Sequence, residues 1–351
     1  MSGSHRRTIG IATSTVGILG LTLTGGLAVV SQYFVEEFSR PHVIVPGIEL
    51  TLSLPYVSPG EPELAFQRTI LFQATDGTLL SGEFWAQPQP APTIIVCHGY
   101  RISRMHLRPV AELAYARGYN VFFFDFRGHG ESDSVMTSAG NAEVRDMEAA
   151  LYVAAHQPET LPGKIIIHGF SMGASIALLT PPHPDIVAII ADSPYARSDD
   201  ILRRLIALRL HQEWIRRYPR YQLSPSVLSG LAWSIVSMSA FVFRLRYGYP
   251  VVARPDTSFK RWKQRSRVLL QHRSIPILLI HSAEDSLIPF EHARQLSAEA
   301  KAQGVPLETY FVASGAHCGA YSSDPVQYEQ VLYTFLARHL KDDLPVQHRF
   351  V

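Results

Sequence analysis

Short apolar runs without polar alternation recur along this chain from about Phe66 onward, and segments with helical periodicity separate them. "RTILFQATDGTLLSGEFWA" predicts two strands around the turn residues Asp76 and Gly77. "TIIVCHG", "YNVFFFDF", "KIIIHG" and "IVAIIAD" predict strands buried on both faces. Helices are expected between them near His106 to Arg117, over Asn141 to His156, and after Ser171. Much later come "IPILLIHS", a helix from Phe290 to Gln303, "LETYFVA" and a last helix near Val326 to Leu340. Strands of this kind, alternating with helices, predict a mainly parallel sheet covered on both faces. In such an open α/β sheet, sites form beyond the carboxyl ends of the strands.

The alternation fails in two places. From Thr8 to Val35 the chain carries no charge, which is long enough for a helix to cross roughly 30 Å of hydrocarbon. No polar face recurs there, as a soluble helix would need. A cleaved signal peptide would have a shorter apolar core and a small-residue cleavage site. An uncleaved anchor is the expectation, followed by a Pro-, Gly- and Glu-rich linker that includes "VSPGEPE". Arg6 and Arg7 precede the span and Glu36 and Glu37 follow it, so the positive-inside rule places the remainder outside the cytoplasm. The expected location is the cell membrane, single-pass, with the folded domain after the span extracytoplasmic.

The second interruption runs from Ala196 to Ser274 and predicts a helical cap. Between Ile201 and Arg273 there are 15 Lys and Arg against 2 acids, an excess of +13 in a chain whose net charge is only +2. Either this is a solvated Arg-rich surface or it is attracted to anionic lipid. "VLSGLAWSIVSMSAFVF" within it is 17 residues without charge, the lower limit for a span. A second crossing would separate parts of the site identified next, so a lid helix or an interfacial dip is expected. The expected divisions are therefore anchor 1–35, linker 36–64, core 65–195, cap 196–274 and core 275–345.

Overall composition adds limits. Hydrophobic residues make up 46% and charged residues 18% of 351 residues, which describes a large buried core. The small net charge gives no pull toward nucleic acid. Two cysteines, Cys97 and Cys318, cannot build a disulfide framework or a cysteine-based zinc site. They read as a buried core thiol and a small loop residue, with one bridge available only in an oxidising compartment. No cofactor or metal is expected.

The chemistry is carried by "KIIIHGFSMGASIALL". A lone hydroxyl stands between two glycines where a strand becomes a helix. The backbone at such a turn is strained, and small neighbours let the chain pass closely. Gly169-Phe170-Ser171-Met172-Gly173 fits the G-x-S-x-G nucleophile elbow in the strand-turn-helix context that the motif requires. A serine needs a base, and the base an orienting carboxylate. Asp285 in "HSAEDSLIPF" and His317 in "SGAHCGAY" follow later strands. Asp192, at the end of the strand after the nucleophile helix, and Glu284 are rival acids. Asp125 is expected to stabilise the turn after its own strand. Two oxyanion donors are expected from the backbone N–H groups of Met172 and Tyr100.

The order Ser171, Asp285, His317 resembles the α/β-hydrolase superfamily from about Phe66 to the last helix. "HGY" at His98 to Tyr100, "DFRGHGES" at Asp125 to Ser132, "GFSMG", and the D-x-x-x-P of Asp285 to Pro289 are similar to its esterase, lysophospholipase and serine-aminopeptidase-like branch. The resemblance implies an α/β-hydrolase fold with a cap, preceded here by one transmembrane helix. It also implies structural roles for His98 and His129. The expected activity is cleavage of a carboxylic ester or related acyl bond through an acyl-enzyme, on a small-molecule or lipid acyl substrate. Membrane contact is expected through the N-terminal helix, with the basic cap as a further candidate. A peptidase of the same fold and a non-catalytic binding protein are the competing readings. The presence of candidates for all three triad roles argues against the latter.

Overall fold

The computed structural model describes residues 25–41, 67–248, 251–270 and 274–340. Most of the expected span and nearly all of the expected linker lie outside these residues.

Eight strands form one sheet in the order β1-β2-β4-β3-β5-β6-β7-β8. They are β1 (Gln67–Gln73), β2 (Leu79–Trp85), β3 (Ala91–Cys97), β4 (Asn120–Phe124), β5 (Thr160–Phe170), β6 (Ile186–Asp192), β7 (Ile277–Ser282) and β8 (Leu307–Val312). β1 and β4 both pair antiparallel with β2, and every pairing from β4 to β8 is parallel. β3, β4, β6 and β7 are buried at every position, which explains their lack of polar alternation.

In chain order the helices are α1 (25–39), α2 (Arg108–Ala116), α3 (Glu143–Ala155), α4 (Met172–Leu179), α5 (Ser198–Arg217), α6 (Pro225–Tyr247), α7 (Ser258–Leu269), α8 (Glu291–Gln303), α9 (Ala320–Ser323) and α10 (Pro325–Leu340). The helix expected from His106 begins instead as a single 3₁₀ turn, Arg104–Leu107. Pro109, in the first turn of α2, makes that position a natural helix start.

Side chains leave the sheet alternately, so it has two cores. Ile95, Ile167, Ile189 and Leu279 pack with Met147 of α3, Ile176 of α4 and Leu296 of α8. Val96, Ile166, Ile190 and Ile280 pack on the other face with Ala111 and Ala114 of α2 and Phe335 and Leu336 of α10. Each such aliphatic side chain contributes roughly 2 kcal/mol of burial. These layers fix the carboxyl ends of β3, β5, β6 and β7.

The chain divides into two compact units. The larger, Ser39–Ile201 with Val252–Val351, contains the whole sheet. The smaller, Met1–Phe38 with Leu202–Val251, contains α6, most of α5 and nearly all of α1. The expected cap of 196–274 extends at both ends beyond Leu202–Val251, the second segment of the smaller unit. α7 falls in the larger one because its Phe259 and Trp262 join the core around Ile189 and Leu279. α1 also runs past the expected end of the span at Val35, through Glu36 and Glu37 to residue 39.

Candidate active site

β5 ends at Phe170 and α4 begins at Met172, so Ser171 is the single residue of the turn. Its backbone is left-handed, with φ +53° and ψ −112°, a conformation that costs a non-glycine residue about 1–3 kcal/mol. The flanking glycines make it sterically feasible. A Cβ on Gly173 would stand 2.4 Å from the Cys97 carbonyl oxygen, and one on Gly169 would stand 2.5 Å from the backbone of Gly173 and Ala174. The Ser171 N–H donates to the Asp192 carbonyl at 2.8 Å, which ties the turn to β6.

The structure brings the three sequence-derived residues together. His317 Nε2 lies 2.7 Å from Ser171 Oγ, and His317 Nδ1 lies 2.7 Å from Asp285 Oδ2. All three are buried, and 146 residues separate the serine from the histidine. The carboxylate fixes the tautomer: Nδ1–H donates to Asp285, which leaves Nε2 to accept the serine proton. Asp285 Oδ1 accepts the N–H groups of Leu287 and Ile288 at 3.0 and 2.8 Å. Burial alone would raise the Asp285 pKa. The His317 hydrogen bond and charge, the Ile288 N–H and His281 outweigh it and hold the group below its ordinary value. His281 donates from Nε2 to the Ile288 carbonyl at 2.9 Å, and burial lowers its pKa.

Met172 is the first residue of α4, whose first-turn N–H groups lack partners within the helix. Tyr100 follows Gly99, where an added Cβ would stand 3.3 Å from the Ser171 Cβ. The loop carrying the Tyr100 N–H therefore passes directly against the serine. Two histidines support this loop. His98 accepts the Phe126 N–H on Nε2 at 3.0 Å and donates from Nδ1 to the Gly99 carbonyl at 2.7 Å. His129 accepts the Arg101 N–H on Nε2 at 3.2 Å and donates from Nδ1 to the Arg127 carbonyl at 2.9 Å. Asp125 stabilises its turn by accepting the N–H groups of Arg104 and Glu131, at 2.7 and 3.0 Å, and it pairs with the Arg104 guanidinium. The "HGY" and "DFRGHGES" stretches are thus one interlocked pair of loops.

Neither rival acid is placed on His317. Glu284 is exposed. The Asp192 carboxylate accepts the Ser193 hydroxyl at 2.8 Å and the Tyr328 hydroxyl at 3.0 Å, and burial raises its pKa to about 6. Tyr328 also lies 3.3 Å from His168 Nε2. Sequence reading missed this second buried polar cluster, because 136 residues separate Asp192 from Tyr328 and no motif links them. Cys97 and Cys318 are free, buried thiols whose pKa values burial pushes up. Among the described residues, no cluster of three His, Cys, Asp or Glu has the makings of a metal site.

A family model described as "Serine aminopeptidase, S33" matches residues 88–317, from just before β3 to the histidine itself. The chain belongs to that family. It is a serine hydrolase of the α/β-hydrolase superfamily. It is similar to the uncharacterized protein YqkD of Bacillus subtilis, with 29% identity over 71% of this chain and 72% of YqkD. It is also similar to the uncharacterized protein YfhR of Escherichia coli K12, with 28% identity over 72% and 74% of the two chains. Among solved structures, an esterase of Pyrococcus furiosus superposes with a TM-score of 0.56 and 24% identity, over 82% of this chain and 98% of its own. An acylaminoacyl peptidase of Pyrococcus horikoshii superposes with a TM-score of 0.51 and 17% identity, over 81% of this chain and 43% of its own. These two share the fold. In the S33 family member described here, one described helix, Pro225–Tyr247, is long and apolar enough to cross a membrane.

Proposed function

We propose that the protein is a membrane-anchored serine hydrolase that cleaves carboxylic esters through Ser171, His317 and Asp285. The observation that carries this reading is the continuous relay from Ser171 Oγ through the imidazole to Asp285, with both contacts at 2.7 Å. Ser171 Oγ attacks the acyl carbon as its proton passes to His317 Nε2. Asp285 stays ionised and stabilises the imidazolium. The oxyanion is received by the Met172 and Tyr100 N–H groups, each worth roughly 3 kcal/mol in the transition state. The tetrahedral intermediate collapses, breaking the bond to the leaving oxygen, which takes the Nε2 proton. Water then repeats the sequence on the acyl-enzyme: His317 takes its proton, the hydroxyl oxygen bonds to the acyl carbon, and Ser171 leaves reprotonated.

The uncharged stretch Thr8–Val35 supports the anchor, and Arg6, Arg7, Glu36 and Glu37 support an extracytoplasmic catalytic unit. An enzyme held at a bilayer meets acyl lipids and other partitioned esters at high local concentration, which favours ester substrates. The family's own description as an aminopeptidase supports a second reading, with an amide as the scissile bond. The test is fluorophosphonate labelling of membrane-extracted protein, followed by turnover of matched acyl esters and aminoacyl amides. Labelling lost in Ser171→Ala, with ester turnover dominant, is the expected result. Amide turnover dominant would select the peptidase reading, and undiminished labelling of Ser171→Ala would overturn the nucleophile.

A further inference from the structure

In the smaller unit α1 and α6 lie side by side and run in the same direction. Ser31 Oγ donates to the Ile235 carbonyl at 3.4 Å, and the Ser239 hydroxyl donates to the Ser31 carbonyl at 3.2 Å. Further along both helices, Arg246 pairs with Glu36 at 3.2 Å. Phe34 packs with Ala232, Ile235 and Val236 of α6 and with Ile206 of α5. This register has a consequence that neither helix shows alone. Residues 25–35 of α1 and 225–243 of α6 carry no charge, and Glu36, the first charge after the uncharged part of α1, pairs with Arg246 near the end of α6.

α6 buries one face and leaves another open. Val227, Leu231, Phe241 and Leu245 fall on one stripe by helical spacing, and Trp233 lies about a third of a turn round the helix from it. All five are between 44% and 73% exposed. A helix that is apolar all round is stable in water only when its neighbours cover it. Here the open face continues alongside α1, itself the end of the uncharged stretch that begins at Thr8. α5 excludes a full crossing. It packs against the same cluster through Leu202, Ile206 and Leu210. It also carries Arg203, Arg204, Arg209, Arg216 and Arg217, which a crossing would draw into hydrocarbon. A shallow placement satisfies both helices: apolar stripe among acyl chains, arginines among phosphates.

We propose that α6 is a monotopic lipid-binding helix, lying in the outer layer of the bilayer beside α1 with Val227, Leu231, Phe241 and Leu245 facing acyl chains. This rests on the membrane-anchored reading above and adds that the smaller unit, in addition to the N-terminal span, contacts lipid.

The test uses full-length protein in phosphatidylcholine–phosphatidylglycerol vesicles. Phe241→Cys and Leu245→Cys each carry an environment-sensitive fluorophore, with Gln212→Cys on exposed α5 for comparison. Bromines on the lipid acyl chains should quench the labels at 241 and 245 at least two-fold and the label at 212 little. Aqueous iodide should show the reverse order. Iodide quenching at 241 and 245 equal to that at 212 overturns the proposal. Protection from iodide without bromolipid quenching overturns it too, since a second protein copy would then cover the face. Alkaline carbonate washing separates the two readings. Protein that washes off has no anchor, whereas retained protein with water-exposed labels fails only the α6 proposal.

Discussion

Ser193 holds Cys318, the residue after His317. Its hydroxyl accepts the Cys318 N–H at 3.3 Å and donates to Asp192 Oδ1 at 2.8 Å. Both residues are fully buried and both have left-handed backbones, with φ +54° at Ser193 and +55° at Cys318. The Asp192 carbonyl in turn accepts the Ser171 N–H. The nucleophile turn, the end of β6 and the histidine loop are therefore three strained backbones joined by hydrogen bonds through one carboxylate residue.

Ser193→Ala should loosen that junction while leaving the three triad side chains in place. Losing hydroxyl bonds that leave the Asp192 oxygen and the Cys318 N–H unpaired should lower stability by about 1–3 kcal/mol. If the junction positions His317, kcat for a reporter ester should fall about 10-fold with KM nearly unchanged, and Ser193→Gly, which relaxes the left-handed backbone but also lacks the hydroxyl, should not restore it. Steady-state kinetics with a urea titration of each variant checks this. A loss of stability with kcat intact would assign Ser193 to folding alone.

His317→Ala and Asp285→Asn should each reduce turnover by roughly 10³-fold or more, because each interrupts the same relay. The double variant should lose little beyond the worse single variant, which turnover of all three would show. Near-additive losses would mean that Asp285 acts elsewhere than through the imidazole.

The reach of the sequence differs from element to element. Ser171 was legible because sterics write the elbow locally: two glycines, a buried strand before and an apolar helix after. Asp285 and His317 were candidates because each lies in the loop after a later strand, β7 or β8, in the order the resemblance implies. The Asp192, Ser193, Tyr328 and His168 cluster was not legible, because a carboxylate ending a strand looks the same whether it meets a histidine or a tyrosine. The place of α7 was not legible for a similar reason. α7 is as Arg- and Lys-rich as α5, and only its Phe259 and Trp262 betray that it packs on the core.

Gly173→Ala should be among the most damaging one-methyl changes in the chain. The added Cβ would overlap the Cys97 and His98 carbonyl oxygens at 2.4 and 2.7 Å, and both are backbone atoms that no rotamer can move aside. Relief requires α4 to shift away from β3, which displaces the Met172 N–H from the loop of Tyr100. A destabilisation of a few kcal/mol is expected, as for overpacked cores, together with loss of fluorophosphonate labelling in whatever protein remains folded. Thermal unfolding and gel-based labelling measure the two effects. Wild-type labelling would mean that the loop and helix can separate without disturbing the proposed oxyanion donors.

Asp192 should give the protein a pH dependence opposite to that of a carboxylate held ionised by a charged partner. Its folded pKa is raised to about 6 by burial, against an unfolded value near 3.9. Between those values the native state holds a proton that the unfolded state has released, so stability falls as pH rises through the window. Above about pH 6 the full penalty applies, up to about 3 kcal/mol for a shift of this size. Asp285 has the opposite sign: its folded pKa is depressed, so its contribution is present above the unfolded value and lost only as pH falls through the lower folded one. Asp192→Asn removes the first titration and leaves the second, and its amide can still accept from Tyr328 or Ser193. The stability difference between wild type and Asp192→Asn, from urea titrations at pH 4.5, 5.5 and 7, should therefore shift in favour of the variant as pH rises. A difference that stays constant across the three pH values would mean that Asp192 does not titrate in this window.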